Sequence, residues 1–404
     1  TETTSSSGSA TTIAISIQDV TVGGSGCYAY TSNAFNVACP NFFPAQGTVG
    51  NWTFTGYTLT DGHRYIVTAQ GTDLATNVQS LYNVGVSSSG FIFDQRLPTS
   101  QVLGPSLEQI FANLPSIAGT ASGVSLLTPL SRVQLSIGQL DLSDNSTSYY
   151  DGSFTFVGST EYFHNTLFVG QASGTWTFNT PVFSPGKYYV VRSKAVDQGG
   201  NAENFAVVIS TRFLFDNIKS TGAVTGMAGA GSNSSYYRTI NPLIGTAFDG
   251  PLFDASAGLE TRANGGAQVR IYDVGLGQWW NSSGGDFNQP SAAAAWVNAS
   301  AGSAAAWTYS NAALDGKLTS GNRYLVQFRA KDKALPVDFN QGPSAIGTDS
   351  NFTLGVDSIT FTADTVPPLS RITAPGAGTV VKVLTSIGGP AADVIVNNYS
   401  SGIS

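Results

Sequence analysis

Apolar residues recur at every second position in short runs along most of this chain. Tyr65-x-Val67, Val133-x-Leu135-x-Ile137, Val269-x-Ile271 and Tyr324-x-Val326 are examples. A period of two turns one face of an extended strand toward a core and the other toward solvent. Gly, Asn, Asp and Pro interrupt the runs at roughly eight- to twelve-residue intervals, as turns between antiparallel strands do. The pattern predicts an all-β protein. One stretch departs from it. Leu107, Ile110, Phe111 and Leu114 fall at helical spacing, and Ser106 with Gln109 fits a capping box. That spacing predicts one short helix near 107–114, bracing the first domain junction.

The runs belong to a longer repeat. The phrase G-x-x-Y-x-V-x-x-x-(G/A)-x-D occurs at Gly62–Asp73, Gly186–Asp197 and Gly321–Asp332. A Trp-x-aromatic pair precedes each copy: Trp52 and Phe54, Trp176 and Phe178, Trp307 and Tyr309. An F-x-x-D phrase follows, at Phe91–Asp94, Phe213–Asp216 and Phe361–Asp364. Next come a β-branched residue (Val102, Val224, Ile372) and a G-T-A-like triplet at Gly119, Gly245 and, as Gly-Pro-Ala, Gly389. A unit above about 90 residues is too long for a helical solenoid and suits a small domain in tandem. Tyr65, Tyr189 and Tyr324 are expected structural corner residues. In a sandwich such a ring enters the core while its hydroxyl bonds back to the preceding turn. The Gly three positions earlier lets that turn take a positive φ.

These motifs resemble bacterial immunoglobulin-like (Big-type) domains, strung in tandem in large surface and extracellular repeat proteins. The resemblance rests on F-x-x-D-x-x-x-P at Phe91–Pro98, on Phe361–Asp364 with Val366-Pro367-Pro368, on the triplets, and on L-x-x-G-x-x-Y-x-V at Leu59–Val67 and Leu318–Val326. The middle repeat departs from it: Asp216-Asn-Ile-Lys-Ser has no Pro, and Phe183 replaces the Leu. The resemblance implies tandem immunoglobulin-like β-sandwiches in an elongated array, and an architectural module more than one activity.

The expected units are 1–97, a domain lacking its first strand; 98–220; 221–368, with a long Trp- and Ala-rich insertion; and 369–404, the opening strands of a further unit. At the amino end Gly8-Ser-Ala10 resembles the triplet, with seven residues before it. A strand deficit at one end and a surplus at the other have two readings. One is head-to-tail donor-strand assembly into a filament, with Thr379, Val381, Val383 and Ile387 as the assembly face. The other is a window of a longer tandem chain.

Composition narrows the setting. Charged residues are 11% of the chain, against about 25% in ordinary soluble domains. Hydrophobics at 41% and aromatics at 11% exclude a disordered chain, leaving a folded protein with a neutral polar skin. The net charge of −7 and the lack of a basic cluster disfavour nucleic acid. No apolar run reaches the about 18 residues of a membrane span. Cys27 and Cys39 read as one disulfide in an oxidising compartment, two unpaired thiols being the alternative. An extracellular or cell-surface place is therefore expected. No signal peptide is visible and the chain starts at Thr1, which fits a processed form or a segment of something longer.

Catalytic chemistry finds little footing. His63 and His164 are the only histidines, and Lys187 and Asn322 occupy the place of His63 in the sister repeats. There is no G-x-S-x-G elbow, zinc-binding cluster or phosphate loop. The expected function is structural: an extracellular rod, stalk or filament, and not an enzyme. The alternative is an adhesin or carbohydrate-binding module using the variable insertions. Trp279, Trp280 and Trp296, in the insertion 275–306, are its candidate platform for surface glycans, and exposure of those rings discriminates the two readings. No cofactor is expected. Asp73, Asp94, Asp197, Asp216, Asp332 and Asp364 are candidates for Ca²⁺ at the junctions, but without a D-x-D-x-D-G loop turn and cap roles suit them better. Seven N-x-(S/T) sequons, at Asn51, Asn145, Asn233, Asn281, Asn298, Asn351 and Asn398, permit glycosylation without arguing for it.

Overall fold

The computed structural model describes residues 10–21, 26–123, 127–153, 155–204, 210–227, 235–250, 255–335, 352 and 357–397. The fold is all-β, a tandem of β-sandwiches, and among the described residues helical structure is limited to the single 3₁₀ turns Arg262–Asn264 and Asp315–Lys317.

The second sandwich shows the frame. One sheet runs Leu167–Gly170, Ser173–Asn179, Ser116–Ser122, Thr99–Gly104. The other runs Gln109–Phe111, Thr211–Phe215, Lys187–Asp197, Leu130–Leu140, Thr147–Tyr150, Phe156–Val157. The third sandwich repeats both. Thr221–Met227, Leu243–Phe248, Ala306–Tyr309 and Ala301–Gly302 form one sheet. Tyr236–Tyr237, Ser358–Ala363, Arg323–Ala330, Ala267–Asp273, Gln278–Asn281 and Asp286–Gln289 form the other. Gln109–Phe111 in the second sandwich and Tyr236–Tyr237 in the third lie parallel to their neighbours Thr211–Phe215 and Ser358–Ala363. The alternating residues of the sequence fill the interiors: Val133, Leu135, Ile137, Tyr189 and Val191 in one, Val269, Ile271, Tyr324 and Val326 in the other.

The repeated motifs meet at one point. The Trp ring of Ser173–Asn179, and that of Ala306–Tyr309, lies on the triplet glycine of the neighbouring strand, because Gly119 pairs with Trp176 and Gly245 with Trp307. A Cβ at Gly119 would stand 2.3 Å from the Trp176 ring, and one at Gly245 would stand 2.1 Å from the Trp307 ring. Each indole N–H donates to the next triplet carbonyl, Thr120 O at 3.1 Å and Thr246 O at 3.4 Å. Both rings are 1% exposed. At the corners, Thr60 N, Ser184 N and Thr319 N donate to the hydroxyls of Tyr65, Tyr189 and Tyr324, each at 2.8 Å.

The first unit is different. Ala10–Asp19 pairs with the corner strand His63–Asp73, setting Ile17 opposite Val67 as Ile137 stands opposite Val191. It is therefore the central strand of the frame, which corrects the expectation that Ala10 belongs to a triplet. Gly119 lies 18 positions before Ile137, whereas Gly8 lies only nine before Ile17, too near for a strand and a connection. Gly8 and Ser9 fall outside the described residues. Among the described residues this unit lacks both the opening strand and the triplet strand. What remains is the sheet of Ala34–Val37, Gly26–Ala29, Ala10–Asp19, His63–Asp73 and Ser88–Phe93, with Phe43–Pro44 beside it, and a separate hairpin, Gln46–Thr48 with Asn51–Thr53. Its buried cluster is correspondingly small: Ile15, Ile17, Tyr28, Phe43 and Tyr65.

The helix expected at 107–114 does not form. The local signal is present, since Gln109 Oε1 accepts from Ser106 N at 3.2 Å and Gln109 N donates to Ser106 O at 3.3 Å. It closes one turn only, ended by Glu108 at φ 59°. Ile110 and Phe111 are then taken into the ladder beside Leu214 and Phe215, and Phe111 meets the Phe213 ring edge-on at 6.0 Å. Tertiary burial outweighs a helical propensity worth tenths of a kcal/mol per residue.

Candidate functional site

Two of the three linker acids, Asp94 and Asp216, fasten one unit to the next. The Asp94 carboxylate accepts from Arg96 N at 3.1 Å and Arg96 Nε at 2.9 Å, and from the Thr128 hydroxyl of the second sandwich. The Asp94 carbonyl accepts from Asn201 Nδ2 at 2.9 Å. Burial works against its charge, yet the Arg96 and Thr128 bonds win and hold the carboxyl at about 2. Asp216 accepts from Ile218 N at 3.0 Å and from Ala257 N of the third sandwich at 2.6 Å. Asp364 accepts from Ser320 Oγ and Val366 N, both at 3.3 Å. The acids ending the corner strands close turns: Asp73 with Ala75 and Asn77, Asp197 with Asn201, Asp332 with Ala334 N at 3.0 Å. All six thus accept backbone N–H groups or neighbouring side chains, and among the described residues no three His, Cys, Asp or Glu gather as a metal group.

Asp249 stands apart at the second junction. It is 8% exposed, and among the described residues neither carboxylate oxygen makes a hydrogen bond of standard geometry. Burial first, and then the Asp216 carboxylate, push its carboxyl up to about 6, which the Gly258 N–H and Lys333 offset only in part. The folded state therefore holds a proton that the unfolded chain releases near pH 4. Stability is gained as pH falls from 7 through about 6 toward 4, and lost as pH rises through 6. Asp249→Asn is expected to remove this dependence and to add about 1–3 kcal/mol at pH 7. Thermal unfolding followed from pH 4 to 7 checks it; an unchanged slope in the variant contradicts the assignment.

The insertion of the third sandwich is part of its interior. Trp279 and Trp280 are each 1% exposed. Trp280 donates to Tyr309 Oη at 2.8 Å, and Trp279 meets the Tyr272 ring at 4.7 Å. The Arg270 guanidinium lies 4.4 Å from the Trp279 ring and 4.5 Å from that of Trp296, while Arg329 covers Trp296 at 4.3 Å. Arg270 also donates to Gln327 Oε1 at 2.8 Å. Burial and the neighbouring Arg270 bring Arg329 down to about 10. This stack corrects the expectation of a glycan platform, because a sugar ring has no access to Trp279 or Trp280 and two guanidinium groups already lie over Trp296. In sequence, the Ala-rich run around Trp296 was the available signal: Ala292 and Ala295 are small enough to bury beside Trp279.

The exposed apolar face lies elsewhere. Trp52 and Phe91 occupy the frame positions of Trp176 and Phe213, yet are 36% and 37% exposed where those are 1% and 0%. Beside Trp52 a groove of about 410 Å³ runs between Thr11, Ile13, Ala45 and Thr48. In the carboxyl segment, Leu369–Ser370 pairs with Ala391–Ala392, and Ala374 bridges Gly388. Ile372, Val381, Val383 and Ile387 are 69%, 49%, 71% and 68% exposed, and Thr379 is exposed as well. Cys27 and Cys39 form a disulfide with Cα atoms 5.1 Å apart, tying the first unit's strand Gly26–Ala29 to the following loop. His63 Nδ1 pairs with Asp19 Oδ2 at 2.7 Å, and His164 Nε2 meets Tyr150 O at 2.9 Å; each histidine braces a local turn or strand.

No protein-family model and no curated protein matches this chain. Among solved structures, a tetra-tandem repeat from the extending region of a large adhesion protein is similar over 90% of this chain and 68% of its own, at 16% identity and TM-score 0.26. Drosophila N-cadherin EC1-4 is similar over 80% of this chain and 63% of its own, at 13% identity and TM-score 0.23. Native α-2-macroglobulin from Escherichia coli, domains MG0-NIE-MG1, covers 81% of this chain and 84% of its own, at 10% identity and TM-score 0.22.

Proposed function

We propose that this protein is a structural repeat protein of an extracellular or cell-surface rod, stalk or filament. The observation that carries the reading is the repeated frame with its pinned junctions. Two of the three linker carboxylates are spent on the next sandwich, Asp94 on Thr128 and Asp216 on Ala257. Ala112 N also donates to Leu335 O at 2.7 Å, joining the second sandwich to the third. Such junctions resist bending, which a rod needs and an independent set of binding modules does not. The disulfide and the sparsely charged surface fit an oxidising exterior. The array continues either along a longer tandem chain or by head-to-tail self-association. The adhesin reading loses its sugar platform with the burial of Trp279 and Trp280.

Small-angle scattering of the dilute monomer tests the rod. A compact globule of this length has a radius of gyration of about 21 Å. A value well above that is expected; one near it removes the rod.

A further inference from the structure

The carboxyl segment is folded like the opening hairpin of a sandwich whose covering strands are not among the described residues. Offset by 270 positions, 368–392 reproduces 98–122 without a gap: Ile372 for Val102, Val381 for Phe111, Ile387 for Ile117, Gly389 for Gly119. The conformations agree too. Glu108 and Gly378 take φ 59° and 75°, and Thr379 N donates to Gly376 O at 3.1 Å as Gln109 N does to Ser106 O at 3.3 Å. A Cβ at Gly389 would stand 1.7 Å from Arg371 O, as one at Gly119 would stand 1.9 Å from Gln101 O. At Gly119 the Trp176 ring completes the contact, but at Gly389 the closest atoms are all from Arg371 and Ile372. Ile117 is 0% exposed and Ile387 is 68% exposed. The first unit has the converse: the Trp and Phe of the frame, without, among the described residues, the two strands that cover them.

We propose that the hairpin 368–392 of one copy completes the first unit of a second copy, in the register the second sandwich displays internally. There Ile117 pairs with Phe178, Ala118 with Thr177 and Gly119 with Trp176. The corresponding pairs between copies are Ile387 with Phe54, Gly388 with Thr53 and Gly389 with Trp52. The Trp52 ring closes over Gly389, and its indole N–H donates to Pro390 O, as Trp176 donates to Thr120 O. Thr379–Val381 lies parallel to Phe91–Phe93 and covers Phe91, as Gln109–Phe111 lies along Phe213–Phe215. The occupant is this hairpin because, among the described residues, it presents a slot without a ring, where the first unit presents a ring without a slot. Donor hairpin and acceptor face are different surfaces of the chain, so a contact between copies is head-to-tail and repeats as a filament where the rotation does not close.

The proposal deepens the head-to-tail form of the rod, and its failure would leave an extended monomer intact. The test is cross-linking of the full chain carrying Thr53→Cys and Gly388→Cys. Both positions tolerate it: Thr53 is exposed, and a Cβ at Gly388 meets nothing within 4 Å. Directly paired residues have Cα atoms about 4.5–5.5 Å apart, within disulfide reach. Oxidation is expected to give a ladder of 42 kDa multiples on a non-reducing gel. Thr53→Cys with Ser386→Cys, two positions out of register, is expected to stay at least ten-fold less cross-linked. Ile387→Asp, at a site exposed in the free chain, should abolish the ladder without unfolding the copy. Monomer only, as when the face is filled from elsewhere in the same polypeptide, overturns the proposal. So do equal ladders from both pairs.

Discussion

Gly245→Val is expected to unfold the third sandwich. The new Cβ would stand 2.1 Å from Ala223 O and 2.1 Å from Trp307 Cζ2. Neither can give way. Ala223 is held in the ladder opposite Thr246, and the Trp307 ring is stacked on Phe328 at 4.7 Å with planes 2° apart. Overpacking that moves backbone as well as a buried ring belongs at the severe end of single substitutions, above about 3 kcal/mol. Gly50→Ala is the contrast: its Cβ meets nothing within 4 Å, and a change within about 0.5 kcal/mol is expected. Denaturant unfolding of the two variants checks the pair. Similar stabilities would mean that the triplet glycine does not serve ring packing.

Trp176→Ala should cost about 3–5 kcal/mol, as emptying a buried aromatic site does. The ring is 1% exposed and packed in the cluster with Ile117, Ile137 and Val191. Trp52→Ala at the same frame position should cost under about 1 kcal/mol in an isolated copy, because a ring already 36% exposed has less burial to lose. In assembled material the two costs should converge. Equal costs in the isolated copy would mean that the face around Trp52 is already covered.

Much of this was legible in the residues. Alternation at Val133, Leu135 and Ile137 specifies a strand with one buried face, since a slip of one position would turn all three to solvent. The corner tyrosines were legible because Gly, Tyr and Val at fixed spacing satisfy one geometry: a left-handed turn, a ring in the core and a hydroxyl returned to the turn. Each lies within a few consecutive residues, where sequence is most informative.

What the sequence could not decide involves partners distant along the chain. The pattern at Leu107–Leu114 satisfies a helix and a broken strand alike, and the open edge of Thr211–Phe215 chose the strand. Trp279 and Trp280 in a polar insertion look the same whether exposed or buried; Arg270, inserted between Trp279 and Trp296, settled it. The triplet-like Gly8-Ser-Ala10 had the right composition, but register against the corner strand made Ala10 the start of a central strand. Local geometry is written in neighbouring residues. Which surface is finally buried depends on free-energy terms summed over the whole fold, so only the tertiary structure showed that Trp52 and Ile387 are exposed where Trp176 and Ile117 are buried.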